Sequence, residues 1–138
     1  MVEISSLDKR FDKLVKPLKK TAKAVFKYLD NLEDSDLVEV YLVNGKSMRK
    51  LNREYRGKDK VTDVIAVEYP DNFPEVGTKR LGEIYLNPPE IENKPYNIDY
   101  AFVHGLLHLL GFNHQKKSDK ISMEKLENSI ILWLNQKS

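Results

Sequence analysis

A chain of 138 residues with 41% apolar side chains is long enough for one core, and a net charge of +2 assigns it to no class of partner by itself. It contains no cysteine, which excludes a disulfide framework, and no apolar run approaches the roughly 20 residues of a membrane span. Charges are spread through Val2 to Lys20, so a secretory leader is not expected there, and a cytoplasmic protein folding as a single domain over residues 1–138 is the plain expectation. In chain order, Leu7, Phe11, Leu14, Leu18, Ala22, Val25, Phe26 and Leu29 recur at helical spacing between lysines, which predicts an amphipathic helical region with a solvated basic face. Pro17 is expected to divide that region or to open a second helix. Leu37 to Val43 reads as a strand ending at the turn Asn44-Gly45. Ser47 then stands where it can cap a short helix that buries Met48, Leu51 and Tyr55 and gathers Arg49, Arg53 and Arg56 on another face.

The continuous apolar run Val64-Ile65-Ala66-Val67 predicts a strand covered on both sides, and Leu81 to Leu86 supplies another, stopped by Asn87-Pro88-Pro89. A helix from Asn97 to Leu110 is apolar on nearly every face and should be buried. Beyond a polar loop, Ser118 is placed to cap a last helix whose inward stripe is Met123, Leu126, Ile130 and Trp133. The expected fold class is therefore α+β, a small mixed β-sheet flanked by helices. Charge is polarised along it: Lys46 to Lys60 holds seven basic residues against two acidic ones, and Asp63 to Asp99 holds eight acidic against three basic.

All three histidines lie in the stretch HGLLHLLGFNH, at His104, His108 and His114. The first two are four residues apart and project from one face of a helix. Gly111 suits a left-handed cap that turns the chain so that His114 comes back as a third nitrogen ligand. This is the ligand spacing of the metzincin zinc site, a zincin-like histidine-bearing helix, except that Gly105 stands where a Glu follows the first histidine there. Two unpaired imidazoles in a buried helix are costly to desolvate, so metal ligation is favoured over a satisfied core role. Three neutral nitrogens suit one Zn²⁺ per chain, although imidazole also binds other divalent transition metals such as Ni²⁺. With no fourth His or Cys the site looks open and catalytic, and its undiminished positive charge favours an anionic substrate.

The segments LNREYRGKDKVTDVIAV (Leu51 to Val67), LGEI (Leu81 to Ile84), VHGLLHLLGFNH (Val103 to His114) and MEKLE (Met123 to Glu127) closely resemble the YbeY family, the metal-dependent endoribonucleases of ribosomal RNA maturation. They run through more than half of the chain in the family's order and leave the amino-terminal helical region uncovered. Where the family usually has Asp, Ser-Phe and Pro, this chain has Asn113, Ala66-Val67 and Lys60. The resemblance implies that His104, His108 and His114 are zinc ligands and that Arg56 is the positively charged catalytic residue. It also implies a single-strand-specific endoribonuclease acting in ribosomal RNA maturation and ribosome quality control. The partners to expect are then single-stranded RNA, ribosomal RNA or the small ribosomal subunit, with neither DNA nor membrane.

Chemistry and resemblance agree on one matter. A peptidase of this spacing needs a carboxylate general base beside the first histidine, and Gly105 supplies none. RNA brings its own 2′-hydroxyl, and its phosphate is open to polarisation by a cation and an arginine together. Arg56 would fork onto that phosphate, and Arg53, Lys58 and Lys60 would grip neighbouring ones or form an ordinary solvated surface. Met123 is read as a core methionine or a Met-turn beneath the metal. Asp63 and Glu83 either orient ligands or close strand-end hydrogen bonds. Two other functions remain from different classes: a metal-dependent hydrolase of a peptide or small phosphoester, and a non-catalytic RNA-binding module of ribosome assembly.

Overall fold

The computed structural model describes residues 1–29, 32–33, 36–69, 79–112 and 117–137. Among these residues four strands, β1 (Val2–Ser6), β2 (Asp36–Leu42), β3 (Val64–Glu68) and β4 (Lys79–Leu86), form one sheet in the spatial order β1-β2-β4-β3. β1, β2 and β4 are parallel, and β3 returns antiparallel to β4, so the sheet is mixed as the sequence predicts. Among the described residues five helices flank it: α1 (Asp12–Tyr28), α2 (Gly45–Arg56), α3 (Pro88–Glu92), α4 (Ile98–Leu109) and α5 (Lys117–Lys137). α1 provides the crossover that two parallel neighbours, β1 and β2, require. None of these helices is long and apolar enough to cross a membrane.

Val38, Val40, Leu42, Ile84 and Leu86 give the sheet one fully buried face, against Leu18, Ala22 and Val25 of α1 and Phe102 and Leu106 of α4. A smaller cluster of Val43, Met48 and Ile65 lies apart from it. The apolar run of β3 is shared between the two, with Val64 and Ala66 on the larger core and Ile65 and Val67 in the smaller cluster. Its continuous hydrophobicity thus reflects cover on both sides, although β3 is an edge strand.

Several local expectations give way to tertiary packing. β1 has no counterpart among the expected elements: only Ile4 of it is buried, and its alternation is too short to stand out beside the helical spacing that follows. Pro17 lies inside a single continuous helix, where burial of Leu18, Ala22 and Val25 holds α1 together across the missing N–H. The cap of α2 is Asn44, whose Oδ1 accepts from the Ser47 amide at 2.9 Å, so the helix begins at Gly45 and Ser47 lies within it. Tyr55 is 52% exposed, and Asn52 is the residue buried beside Met48, donating through Nδ2 to the Lys60 carbonyl at 2.9 Å. Ser118 falls inside α5, which packs on α1 through Trp133 and Tyr28, with ring centroids 5.0 Å apart.

Candidate metal centre

α4 is capped at Asn97, whose Oδ1 accepts from the Tyr100 amide at 3.0 Å, and it buries Ala101, Phe102, Val103, Leu106 and Leu107. Gly105 is what lets it approach the sheet. A Cβ there would lie 2.9 Å from Ile84 Cγ2 and 3.4 Å from Val64 Cγ2. The position that bears a Glu in metzincins is therefore pressed into the core here, and no carboxylate fits it without displacing β4. With that side against the sheet, His104 and His108 emerge together on the half-exposed face. The helix ends at Leu110, and Gly111 follows at φ +98°, the turn the sequence predicts. His114 and Asn113 lie outside the described residues.

The two described imidazoles converge. His104 Nε2 and His108 Nε2 are 3.2 Å apart. Two nitrogens each about 2.0–2.1 Å from one tetrahedral ion stand about 3.3–3.4 Å from each other, so this separation fits a shared divalent cation. Behind them, Glu127 of α5 is 1% exposed and its Oε2 lies 2.8 Å from His104 Nδ1. An ionised carboxylate only accepts, so the proton of His104 belongs on Nδ1 and the lone pair on Nε2. A buried carboxylate orienting a histidine in this way is the usual support of a metal-ligating imidazole. Among the described residues no third His, Cys, Asp or Glu completes a ligand group.

A cleft of about 280 Å³ opens in front of the two histidines, and Arg56, Asp63, Tyr96 and Tyr100 line it with them. Arg56 comes from the end of α2, and its Nη2 donates to the Val64 carbonyl at 3.4 Å. Asp63 also lines it: its Oδ2 accepts from the Tyr96 hydroxyl, and Thr62 Oγ1 donates to its Oδ1 at 3.3 Å. The segment holding it is tied to the end of β4, since Asn87 donates through its amide to the Asp63 carbonyl at 2.9 Å and through Nδ2 to the Thr62 carbonyl at 3.2 Å.

The other expected residues fall elsewhere. Arg53 shares Asp59 with Arg49, at 3.6 and 2.8 Å, and the Arg49 guanidinium holds that carboxyl below its usual range. Arg49 and Arg53 therefore work as one exposed pair, while Arg56 is turned to the cleft. Lys58 and Lys60 are exposed on the short segment after the left-handed Gly57, a segment that Asn52 fastens to α2. Glu83 is paired with tyrosines, accepting from Tyr69 at 2.5 Å and from Tyr85, and it does not line the cleft. Met123 is fully buried in the main core.

Glu127, Tyr96 and Tyr100 are site residues that the sequence does not single out. Glu127 had a signal, an acid four residues after Met123 and three before Ile130, hence on the buried stripe of its own helix, where an ionisable group needs a partner. The tyrosines had weaker signals: Tyr100 stands four residues before His104, one turn along the same face of α4, and Tyr96 stands just before the Asn97 cap.

The family profile of endoribonuclease YbeY matches residues 3–135. The endoribonuclease YbeY of Thermodesulfovibrio yellowstonii is 39% identical over 104 residues, covering 69% of this chain and 65% of that protein, just under two thirds of its length. That of Anaplasma marginale is 32% identical and covers 97% of this chain and 93% of its own. The solution structure of a Thermotoga maritima protein, 24% identical over 99% of this chain and 93% of its own, superposes with a TM-score of 0.54 and shares the fold. A profile match across nearly the whole chain, with relatives above 30% identity over most of it, shows that this chain belongs to the endoribonuclease YbeY family.

Proposed function

We propose that this protein is a metal-dependent endoribonuclease that cuts single-stranded RNA, with ribosomal RNA as its substrate in maturation and ribosome quality control, and with Zn²⁺ held by His104, His108 and His114. The observation that carries the proposal is the meeting of Arg56 with His104 and His108 around one cleft, although 48 positions separate Arg56 from His104 in the chain. A divalent cation held by the histidines would supply Lewis-acid polarisation of a phosphoryl oxygen. Arg56 supplies paired donors to the same phosphate and counters the negative charge that grows on it as the bond breaks. Because Gly105 is packed against Ile84, the position after His104 carries no carboxylate base, and Glu127 is engaged with His104 Nδ1, which disfavours peptide hydrolysis. RNA places a 2′-hydroxyl beside every phosphate and does not depend on that base.

Substrate grip follows from α2. Lys46, Arg49, Lys50 and Arg53 surround one surface depression on this helix, and Arg56 continues the row to the cleft. At 1.5 Å per residue the row is about 15 Å long, enough to follow several phosphates, with Lys58 and Lys60 beside its inner end. The ribosomal assignment rests on the family, and a precursor of small-subunit ribosomal RNA should be cut faster than an unrelated RNA of equal length.

Incubation of the purified protein with single-stranded RNA, with and without chelator, tests the reading. Chelation should abolish cutting, and Zn²⁺ or Ni²⁺ should restore it. Arg56→Ala should cut about 10²-fold more slowly at unchanged metal content, the usual loss for one donor to a developing charge; a rate equal to the parent's would remove Arg56 from the phosphate. Glu127→Gln keeps the volume but withdraws the anionic acceptor from His104 Nδ1. It should weaken metal binding roughly 10- to 100-fold in a competition titration, and an affinity within twofold of the parent's would make Glu127 merely structural. Intact RNA beside a peptide cleaved at the histidines would favour a metallopeptidase instead.

A further inference from the structure

The metal-proximal cleft has an aromatic wall that phosphate chemistry leaves unused. The Tyr96 and Tyr100 rings lie 4.9 Å apart between centroids with their planes 35° from parallel, and Tyr100 lies 6.4 Å and 19° from the His104 imidazole. All three rings line the cleft that Arg56 enters. The Tyr96 phenol is held at its tip by a carboxylate, donating to Asp63, and Tyr100 is close enough to Glu127 to feel its charge. Burial, reinforced by Glu127, pushes Tyr100 up to about 12, and burial with Asp63 raises Tyr96 further, so both stay neutral donors at physiological pH. A ring anchored at its hydroxyl has little rotational freedom left to lose, and a ring lining a cleft is a ready partner for another aromatic system. Tyr96 also lines a second, apolar depression with Pro88, Ile91 and Ile98.

We propose that Tyr96 and Tyr100 form a nucleobase-stacking subsite for the nucleotide next to the scissile phosphate. The inference rests on the endoribonuclease reading and gives its single-strand preference a physical source. Every base has a π-face, so stacking on tyrosine is largely indifferent to sequence. It is not indifferent to pairing, because a base inside a duplex is already stacked and leaves only at the cost of unpairing. The subsite therefore accepts any unpaired base beside the phosphate gripped by Arg56, with a modest preference for the larger purine surface.

The test uses the purified protein and a short single-stranded RNA in which one nucleotide at a time is made abasic, with a 2-aminopurine reporter at the position found to matter. For the parent, one abasic position next to the cut should raise KM about tenfold, a usual loss for one stacked base, and 2-aminopurine there should be quenched on binding. Tyr96→Leu should raise KM for intact RNA by a similar factor, lower kcat less, lose the quenching and no longer respond to that abasic position. Tyr96→Phe, which keeps the ring and loses the bond to Asp63, should bind within about threefold of the parent. If Tyr96→Phe is as weak as Tyr96→Leu, the phenol's bond to Asp63 is what matters and stacking is overturned. An RNA cut by the parent with no abasic position mattering also overturns it, and leaves the endoribonuclease reading standing. A parent that neither binds nor cuts RNA overturns both.

Discussion

His108→Ala is expected to lower RNA cleavage by more than about 10³-fold, because loss of an orienting partner alone costs 10- to 100-fold in metal affinity and loss of a ligand costs more. The pair of nitrogens 3.2 Å apart is the part of the centre that the described residues define, and without His108 the proposed ligand set falls to His104 and His114. His108 is half-exposed on the cleft side of α4, so its truncation leaves no sealed cavity and the fold should survive. Metal content by elemental analysis, cleavage rate and thermal midpoint, measured together, separate the effects. The expected result is a parent-like midpoint in metal-free buffer with metal and activity both lost. A variant that retains one metal per chain and cuts at the parent rate would show that His108 is not a ligand.

Gly82→Ala should destabilise the protein by about 3 kcal/mol, the upper end of the usual overpacking range. A Cβ at Gly82 would fall 2.2 Å from the Val67 carbonyl oxygen and 2.7 Å from Leu109 Cδ2, and the residue sits at φ +155°. The first contact is with backbone, so β3 itself would have to leave β4. The second is with the last turn of α4, the helix that carries both histidines. Gly82 also follows the irregularity at which β2 skips Leu81, pairing Leu37 with Arg80 and Val38 with Gly82. A fall of roughly 10 °C in thermal midpoint is expected for a chain of this size, together with weaker metal binding as α4 shifts. An unchanged midpoint would mean that the sheet yields at β3 far more easily than its packing on both sides suggests.

The histidine pair was legible because its spacing is local: residues four apart on a helix share a face whatever surrounds them. The burial of α4 was legible for the same reason, since apolar side chains recur around nearly its whole circumference and leave only the histidine side polar. α2 marks where such reasoning stops. Its period placed Met48 inward, but whether Tyr55 or Asn52 joined Met48 depended on the returning segment, whose Lys60 carbonyl gave Asn52 a partner. The length of β1 offered almost no period to detect, and its pairing with β2 lies across α1 in the chain. His114 and Asn113, legible as motif positions, fall outside the described residues.

From the sequence alone came the α+β class, the imidazole pair on one helical face and the family segments that bring in Arg56. Tertiary structure alone decided that Arg56 faces those imidazoles, that Glu127 stands behind His104, that Gly105 is closed to any carboxylate by Ile84, and that Tyr96 and Tyr100 wall the cleft. The difference is physical. A local period determines which side chains share a face, whereas the element that comes to cover that face is selected by long-range packing, which no short window of residues contains.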